Sequence, residues 1–270
     1  MTLFPAAEAI SRVADPLHWT GEKQGLLVAA AREMAVFHRE HSPEIRFLYD
    51  RHRFDPATLQ AEDDLARIPS LGVTAMKYYL LTSLPPEQAV LKLTSSGTRG
   101  QKTQIWFDAA SLDRVQMMLE TLWRQEGLIS QEPTSYLMMI YDPEEAKDLG
   151  IAFSLKNQQR FAPAAETWYA IRKNPQGAWE FNARRTLEQL QSFCRAGRPI
   201  RISGIPSFIH DLLGHLQESG PVVLPPQSYL LTGGGWKAAD DKKVPREFFR
   251  EEASRLLGIP PERIRDGYGM

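Results

Sequence analysis

Cysteine is almost absent from this chain of 270 residues, in which Cys194 is the only one. A single cysteine excludes an intramolecular disulfide and any cysteine-rich zinc site, and it fits a reducing compartment, so we expect a cytoplasmic location. Long apolar runs are also lacking, since no window approaches the roughly eighteen uninterrupted apolar residues of a membrane span. The first residues reach an acid at Glu8 without a basic stretch, which argues against a secretory signal.

Excess charge of either sign is missing as well, because the formal net charge is -1. This balance gives no bulk electrostatic reason to expect nucleic acid or an anionic membrane as a partner. Hydrophobic residues make up 43% and charged residues 24%, which is typical of soluble globular proteins. The composition therefore predicts an enzyme or binding domain with a sizeable core, and it leaves the oligomeric state open.

Two regions differ in pattern, a helical N-terminal region at 1–85 and an α/β core at 86–270. Apolar residues recur at helical spacing from Leu26 to His38 in the first region. His38, His41 and His52 could suggest metal ligands, but their spacing fits no common zinc pattern. A solvated helical face is the favoured interpretation.

Strand and helix patterns alternate in the second region. Two short strands at 90–93 and 103–107 predict a hairpin with a polar, glycine-bearing turn. Further strands are predicted at 136–140, 168–171, 200–203, 229–231 and from about 263, and helices at 108–126, 187–196, 208–216 and 246–257. The alternation predicts an α/β fold of layered mixed sheets flanked by helices, at least partly parallel. Ligands bind at the carboxyl ends of such strands, so we expect the turns near Gly97, Gly233 and Gly267 to converge on one pocket.

The turn of the hairpin has the composition of a phosphate-binding loop. It contains Thr94, Ser95, Ser96, Gly97, Thr98, Arg99, Gly100, Gln101 and Lys102. Glycines let the backbone N–H groups surround an anion, and the four hydroxyls and two cations add donors and positive charge. The spacing is not that of a Walker A loop. Chemistry alone leaves phosphate binding and a simple polar turn equally open.

Two further glycine-rich segments follow strands. One runs Leu231-Thr232-Gly233-Gly234-Gly235-Trp236-Lys237, and the other runs Asp266-Gly267-Tyr268-Gly269-Met270. Glycines permit a planar group to lie flat on the backbone, and an aromatic face can stack on a purine. Each segment alone is equally compatible with an ordinary turn after a strand.

Together and in this order, the three segments resemble the adenylate-forming superfamily, which includes acyl-CoA synthetases and peptide-synthetase adenylation domains. The loop departs from the usual Thr-Ser-Gly-Thr-Thr-Gly-x-Pro-Lys by an extra serine, by Arg99 and by Gln101. Its doubled serine and Gly-Gln-Lys ending are similar to the acyl-protein synthetase (LuxE-type) branch and to phenylacetate–CoA ligase relatives. The methionine after Gly269 is also similar to that branch.

The resemblance implies ATP-dependent activation of a fatty or aryl acid to an acyl-adenylate, followed by transfer to a thiol of a protein or of coenzyme A. ATP and Mg²⁺ are the implied cofactors. The loop is expected to hold the β- and γ-phosphates, with Thr98 and Lys102 as the catalytic residues. Tyr268, Gly269 and the strip Gly233–Gly235 are expected to hold adenine. Trp236 is expected to wall the acyl pocket, although a core tryptophan is an equal alternative.

In this superfamily a metal-binding glutamate, a ribose-binding aspartate and a mobile C-terminal domain follow the position of Met270. We therefore expect residues 1–270 to be the N-terminal part of such an enzyme, without assigned metal ligands. The alternative is a catalytically incomplete module that binds nucleotide or acyl groups. Cys194 is expected to be a buried structural thiol. His210 and Asp211 are adjacent in a helix and do not share a face, so a catalytic pair is not expected.

Overall fold

The computed structural model describes residues 4–94, 103–146 and 157–267. The chain divides into two compact units, Met1–Leu128 and Ile129–Met270. The division expected from the sequence, at residues 85 and 86, stays a prediction. Among the described residues, no helix is both long and apolar enough to cross a membrane.

The first unit is mainly helical. Its helices are α1 (Pro5–Ser11), α2 (Gly21–His41), α3 (Pro43–Arg51), α4 (Ala75–Tyr78) and α5 (Ala109–Gln125), with 3₁₀ turns at Pro56–Thr58, Glu62–Arg67 and Pro86–Gln88. The side chains of Thr20, Ser42 and Asp108 cap α2, α3 and α5 by accepting a backbone N–H of the first turn. A small core of Ala35, Tyr49, Phe54 and Leu59 joins α2 to the segment that follows it.

The predicted hairpin is present in this unit. Strands β1 (Leu91–Thr94) and β2 (Gln104–Phe107) pair antiparallel, with Thr94 opposite Gln104. The helix predicted at 108–126 is confirmed as α5.

A six-stranded sheet forms the centre of the second unit. Its strands are β3 (Thr134–Tyr141), β4 (Ala164–Lys173), β5 (Trp179–Phe181), β6 (Ile200–Gly204), β7 (Tyr229–Gly233) and β8 (Ile264–Gly267). The order is β5-β4-β3-β6-β7-β8. All neighbours are parallel except β5, which pairs antiparallel with β4. The expected α/β fold with a partly parallel, mixed sheet is confirmed.

Three helices cover one face of this sheet. They are α6 (Ala183–Ala196), α7 (Pro206–Ser219) and α8 (Arg246–Leu257), and further 3₁₀ turns lie at Asn157–Arg160, Lys237–Lys242 and Pro261–Arg263. Their apolar faces and the sheet share one core that contains Leu137, Ile202, Leu213, Leu230 and Leu256. Gly197 ends α6 in the left-handed conformation (φ +70°), which glycine adopts without strain.

The connection from β6 to α7 requires glycine at one position. Gly204 has φ +154°, and a Cβ atom built there would lie 2.3 Å from the carbonyl oxygen of Met139 on β3. The next residue, Ile205, donates its backbone N–H to that same carbonyl at 3.1 Å. Close approach of two backbones therefore determines where α7 begins at the carboxyl edge of the sheet.

Candidate functional site

The carboxyl ends of β7 and β8 bring two of the glycine-rich segments together. Gly233 lies opposite Gly267 in the sheet, and a Cβ on either residue would be 3.4 Å from a backbone oxygen of the neighbouring strand. Gly234 (φ +82°) and Gly235 (φ +65°) then carry the chain away from β7 in the left-handed region that glycine adopts without strain. The result is a stretch of backbone without side chains at the edge of the sheet.

A side-chain hydrogen bond joins the same two strands next to the glycines. The hydroxyl Oγ1 of Thr232 donates to Oδ1 of Asp266 at 2.7 Å. Thr232 is buried, whereas Asp266 is exposed. The bond therefore fixes one oxygen of an exposed carboxylate and leaves its other oxygen at the surface as an acceptor.

A cavity of about 250 Å³ opens at this edge of the sheet. Its walls come from the ends of β7 and β8, from the segment after the glycines, and from the first turns of α7 and α8. The lining residues are Pro206, Thr232, Gly235, Trp236, Lys243, Val244, Arg246, Phe249, Arg250, Ile264, Arg265 and Asp266. The cavity thus extends along β8 from Ile264 to Asp266 and reaches the carboxyl end of β7 at Thr232, the end at which ligands bind in open α/β sheets.

Positive charge predominates in this lining, with four basic residues and one carboxylate. Arg250 is half-buried, and its Nη2 donates to the carbonyl of Pro261 at 3.0 Å. Its Nε is buried and has no hydrogen-bond acceptor in the part of the chain that the structure describes. The excess of cationic side chains around the cavity favours an anionic ligand.

Aromatic rings form the apolar wall of the cavity. The indole of Trp236 meets the ring of Phe249 edge to face, with centroids 6.2 Å apart. On its other side it meets the imidazole of His210, 5.6 Å away. Trp236 lines this cavity and also packs on the core of the second unit, and its place in an acyl pocket stays a prediction.

The structure brings together only some of the residues that the sequence singled out. Gly233, Gly234, Gly235 and Trp236 meet at the carboxyl edge, and the segment of Gly267 joins them. Thr94 ends β1. Ser95, Ser96, Gly97, Thr98, Arg99, Gly100, Lys102, Tyr268 and Gly269 lie outside the described residues. Gly233 and Gly267 are thus adjacent in the sheet, and the expected convergence of the three turns on one pocket stays a prediction.

Thr232, Asp266 and Arg250 were not predicted as site residues. Thr232 directly precedes Gly233, and Asp266 directly precedes Gly267. Their place beside a glycine at the end of a predicted strand could have identified them from the sequence. Arg250 carries no such signal, because its place depends on how α8 packs against the sheet. Phe249, beside it, is likewise an ordinary apolar helix residue in the sequence.

The surroundings of His38 and of Cys194 can be described in detail. Within the described ranges, no three His, Cys, Asp or Glu side chains form a metal-binding group. His38 is half-buried rather than solvated; its Nδ1 lies 2.7 Å from Oγ of Ser83, and burial lowers its pKa, with a smaller contribution from His41. Cys194 is half-buried against the core, and burial raises the pKa of its thiol. This agrees with a structural thiol rather than a nucleophile.

Two curated relatives cover most of this chain. A long-chain-fatty-acid–luciferin-component ligase of Vibrio harveyi is 22% identical over 258 residues, which is 94% of this chain and 65% of the relative. The protein of that name from Aliivibrio fischeri is 22% identical over 239 residues, or 87% of this chain and 60% of the relative. The chain therefore spans less than two thirds of the length of these relatives.

Solved structures of similar fold are carboxylate–CoA ligases. An open conformation of 2-hydroxyisobutyryl-CoA ligase in complex with 2-HIB-AMP and CoA matches with a TM-score of 0.66 and 14% identity, over 93% of this chain and 54% of that one. The same ligase in the postadenylation state matches with a TM-score of 0.64 over 93% and 49%. At this level of identity the likeness establishes the fold.

The family model described as acyl-protein synthetase, LuxE, matches residues 7–270. The match includes both compact units and every segment that carried the resemblance in the sequence. The chain belongs to the LuxE acyl-protein synthetase family.

Proposed function

We propose that this chain is the nucleotide-binding part of an ATP-dependent acid–thiol ligase. The reaction joins a carboxylate to the α-phosphate of ATP, which releases pyrophosphate, and the acyl group of the acyl-adenylate then passes to a thiol. The observation that carries the proposal is the edge of β7 and β8, where bare glycine backbone, a fixed carboxylate and a cationic cavity adjoin. A cytoplasmic location belongs to the same proposal, supported by the single cysteine.

Adenine is the part of the nucleotide that suits the glycine strip. A flat base can lie against Gly233–Gly235, where no Cβ stands in the way. The exocyclic amine of adenine is a donor, and the free carboxylate oxygen of Asp266 is an acceptor-only partner for it. Tyr268 and Gly269 are proposed to complete this site, the tyrosine by stacking on the base, which contributes roughly 1–3 kcal/mol in comparable cases.

Phosphate binding is divided between two sets of residues in this proposal. The hydroxyls, glycines and cations from Thr94 to Lys102 are proposed to hold the β- and γ-phosphates, with Thr98 and Lys102 acting on the leaving pyrophosphate. Arg250 is proposed to stabilise negative charge near the cavity. Such charge stabilisation is the main requirement, because an anionic acid must approach a polyanionic nucleotide.

Magnesium accompanies ATP in reactions of this type and neutralises phosphate charge. Among the residues that the structure describes, no group of three carboxylate, imidazole or thiolate side chains offers a ligand set for it. Asp266 is a single exposed carboxylate with one oxygen engaged by Thr232. The described part of the chain therefore offers no ligand set, and we derive no step through the metal.

A long-chain fatty acid is the proposed substrate, with an aryl acid as the alternative outcome. The curated relatives are named as ligases of long-chain fatty acids, and they support the first choice. The apolar wall of Trp236 and Phe249 is compatible with either. The acceptor is proposed to be a thiol, on a partner protein or on coenzyme A.

A thermal-shift panel tests the proposal. The protein is incubated with AMP, ATP and non-hydrolysable acyl-AMP analogues that carry octanoyl, tetradecanoyl or phenylacetyl groups. A ligand that binds only the folded state stabilises it by about 2.7 kcal/mol at a hundredfold excess over Kd. We expect the tetradecanoyl analogue to stabilise the protein more than AMP does. We expect Lys102→Ala to reduce the stabilisation by ATP more than the stabilisation by AMP. Lack of any shift with every nucleotide would contradict the proposal.

A matched control for Lys102→Ala is Lys77→Ala. Lys77 lies in the last turn of α4 and outside all three glycine-rich segments. The control makes the same change of charge and size outside the proposed site. It should therefore leave the difference between the stabilisation by ATP and by AMP unchanged. An equal loss in both variants would attribute the effect to bulk charge.

A further inference from the structure

A buried carboxylate lies between α7 and α8, one turn beyond the cavity. Glu252 on α8 is only 6% exposed. Its Oε1 accepts a hydrogen bond from Nε2 of Gln217, and its Oε2 lies 3.3 Å from Nδ1 of His210. The two atoms do not form an aligned hydrogen bond, so the contact to His210 is one of close packing. Both partners are on α7, so Glu252 links two helices.

Burial of a carboxylate is costly unless neighbouring groups compensate for the lost water. Removal of one partner from such a buried pair therefore destabilises the remaining charge. The imidazole of His210 lies against this buried carboxylate on one side. Its own side chain is 25% exposed, so the imidazole spans the distance from the buried carboxylate towards the surface.

The other side of His210 contacts the wall of the cavity. The imidazole meets the indole of Trp236 at an interplanar angle of 65°. The neighbouring residue, Asp211, lies 3.5 Å from Nζ of Lys242 in the same connecting segment. Two adjacent residues of α7 thus hold the segment that follows Gly235, and this segment supplies Trp236 and Lys243 to the cavity.

We propose that His210 is a positioning residue: held by buried Glu252, it fixes the indole of Trp236 as a wall of the cavity. This inference rests on the proposed function only for the identity of the ligand. The indole must keep one orientation to leave the cavity open beside the glycines. Without His210, the wall can turn into the cavity or away from it, and both changes weaken ligand binding.

Trp236 fluorescence tests the positioning itself, independently of any ligand. His210→Ala and the unaltered protein are each compared with their Trp236→Phe counterparts, so that the difference spectrum reports this indole alone. We expect a red-shifted emission and at least a twofold rise in acrylamide quenching in His210→Ala. Glu252→Gln is the conservative variant, because an amide can still accept from Gln217 and donate to Nδ1 of His210. It should resemble the unaltered protein.

Binding of a tetradecanoyl-AMP analogue is measured on the same set. We expect His210→Ala to weaken binding about tenfold, and His215→Ala, an exposed histidine on the same helix, to leave it unchanged. Should His210→Ala not fold, His210→Phe/Glu252→Met removes the buried charge together with its partner and should fold with the same loss of affinity.

Two results would overturn the inference. One is an unchanged Trp236 emission and affinity in His210→Ala or in the double variant. The other is a loss of stability in His210→Ala without any change in the Trp236 signal, which would give the pair a purely structural role. Failure of the unaltered protein to bind any nucleotide would contradict the proposed function instead, and the fluorescence comparison would still decide the positioning.

Discussion

The hydroxyl of Thr232 donates to the carboxylate of Asp266 at 2.7 Å, one residue before Gly233 and Gly267 pair across the same two strands. Thr232 is 7% exposed, so the donor is protected from water. The bond orients an exposed carboxylate at the end of a strip of bare backbone. In the proposed function, this carboxylate is the group that recognises the amine of adenine.

Thr232→Val tests this relationship, because valine keeps the shape and removes the donor. We expect the affinity for AMP to fall about tenfold and the free energy of unfolding to fall by roughly 1 kcal/mol, the typical contribution of one hydrogen bond. Equilibrium titration and urea unfolding measure the two quantities. Thr232→Ser keeps the hydroxyl and should bind as the unaltered protein does. Equal affinity of the valine and serine variants would contradict the role of Asp266.

Arg250→Gln tests the charge at the cavity. We expect the affinity for AMP to fall at least tenfold while the affinity for adenosine is unchanged, because the guanidinium acts on the phosphate. Arg255→Gln makes the same charge change in the last turn of the same helix, at an exposed position outside the cavity lining. It should have no effect on either ligand. A parallel loss for adenosine and AMP in Arg250→Gln would show that Arg250 only supports the fold.

Gly204→Ala tests the backbone contact that begins α7. A Cβ would lie 2.3 Å from the oxygen of Met139, at a φ that disfavours other residues. We expect a loss of at least about 2 kcal/mol in the free energy of unfolding. Gly214→Ala lies within α7 in open space and should stabilise by up to about 1 kcal/mol. Urea unfolding of both variants measures the difference, and similar stabilities would refute the contact.

Most strands and helices of the second unit were predictable because they have a strong local pattern. The helix Arg246–Leu257, for example, has an apolar stripe and ends at Gly258 in the left-handed conformation. The strand Trp179–Phe181 was missed, since three residues at a sheet edge are too short for a period-2 pattern. The roles of Glu252 and His210 were also missed, because their contact depends on how α7 packs on α8.

The adjacency of Gly233 and Gly267 was predictable because neighbouring parallel strands end at the same edge of a sheet. The cationic lining of the cavity was not predictable, because Arg250 and Arg246 lie on a helix whose sequence also fits a solvated surface. Side-chain contacts between distant elements have no local pattern in one sequence. The same holds for the buried position of His38, for which the sequence favoured a solvated face.

The lowered pKa of His38 predicts how the stability of the first unit depends on pH. Burial lowers its pKa below the ordinary value of 6.5, so the unfolded chain binds a proton more readily than the folded one. This contribution to stability is therefore complete above about pH 6.5 and is lost progressively as the pH falls below it. His38→Gln, which can still bond to Ser83, should flatten the dependence. His52→Gln is the exposed control.

Urea unfolding at about pH 7.5 and about pH 5.5 measures this dependence on either side of the ordinary histidine pKa. We expect the unaltered protein and His52→Gln to lose more stability at the lower pH than His38→Gln does. The same slope in all three would assign the pH dependence to groups other than His38.

Photoaffinity labelling with an azido-adenine AMP, followed by peptide mapping, tests the central claim most directly: that adenine binds at the carboxyl ends of β7 and β8. We predict label on peptides that contain residues 232–237 and 265–270, competed by unlabelled AMP and reduced in Thr232→Val. Label that maps elsewhere, or that unlabelled AMP does not compete, would contradict the account.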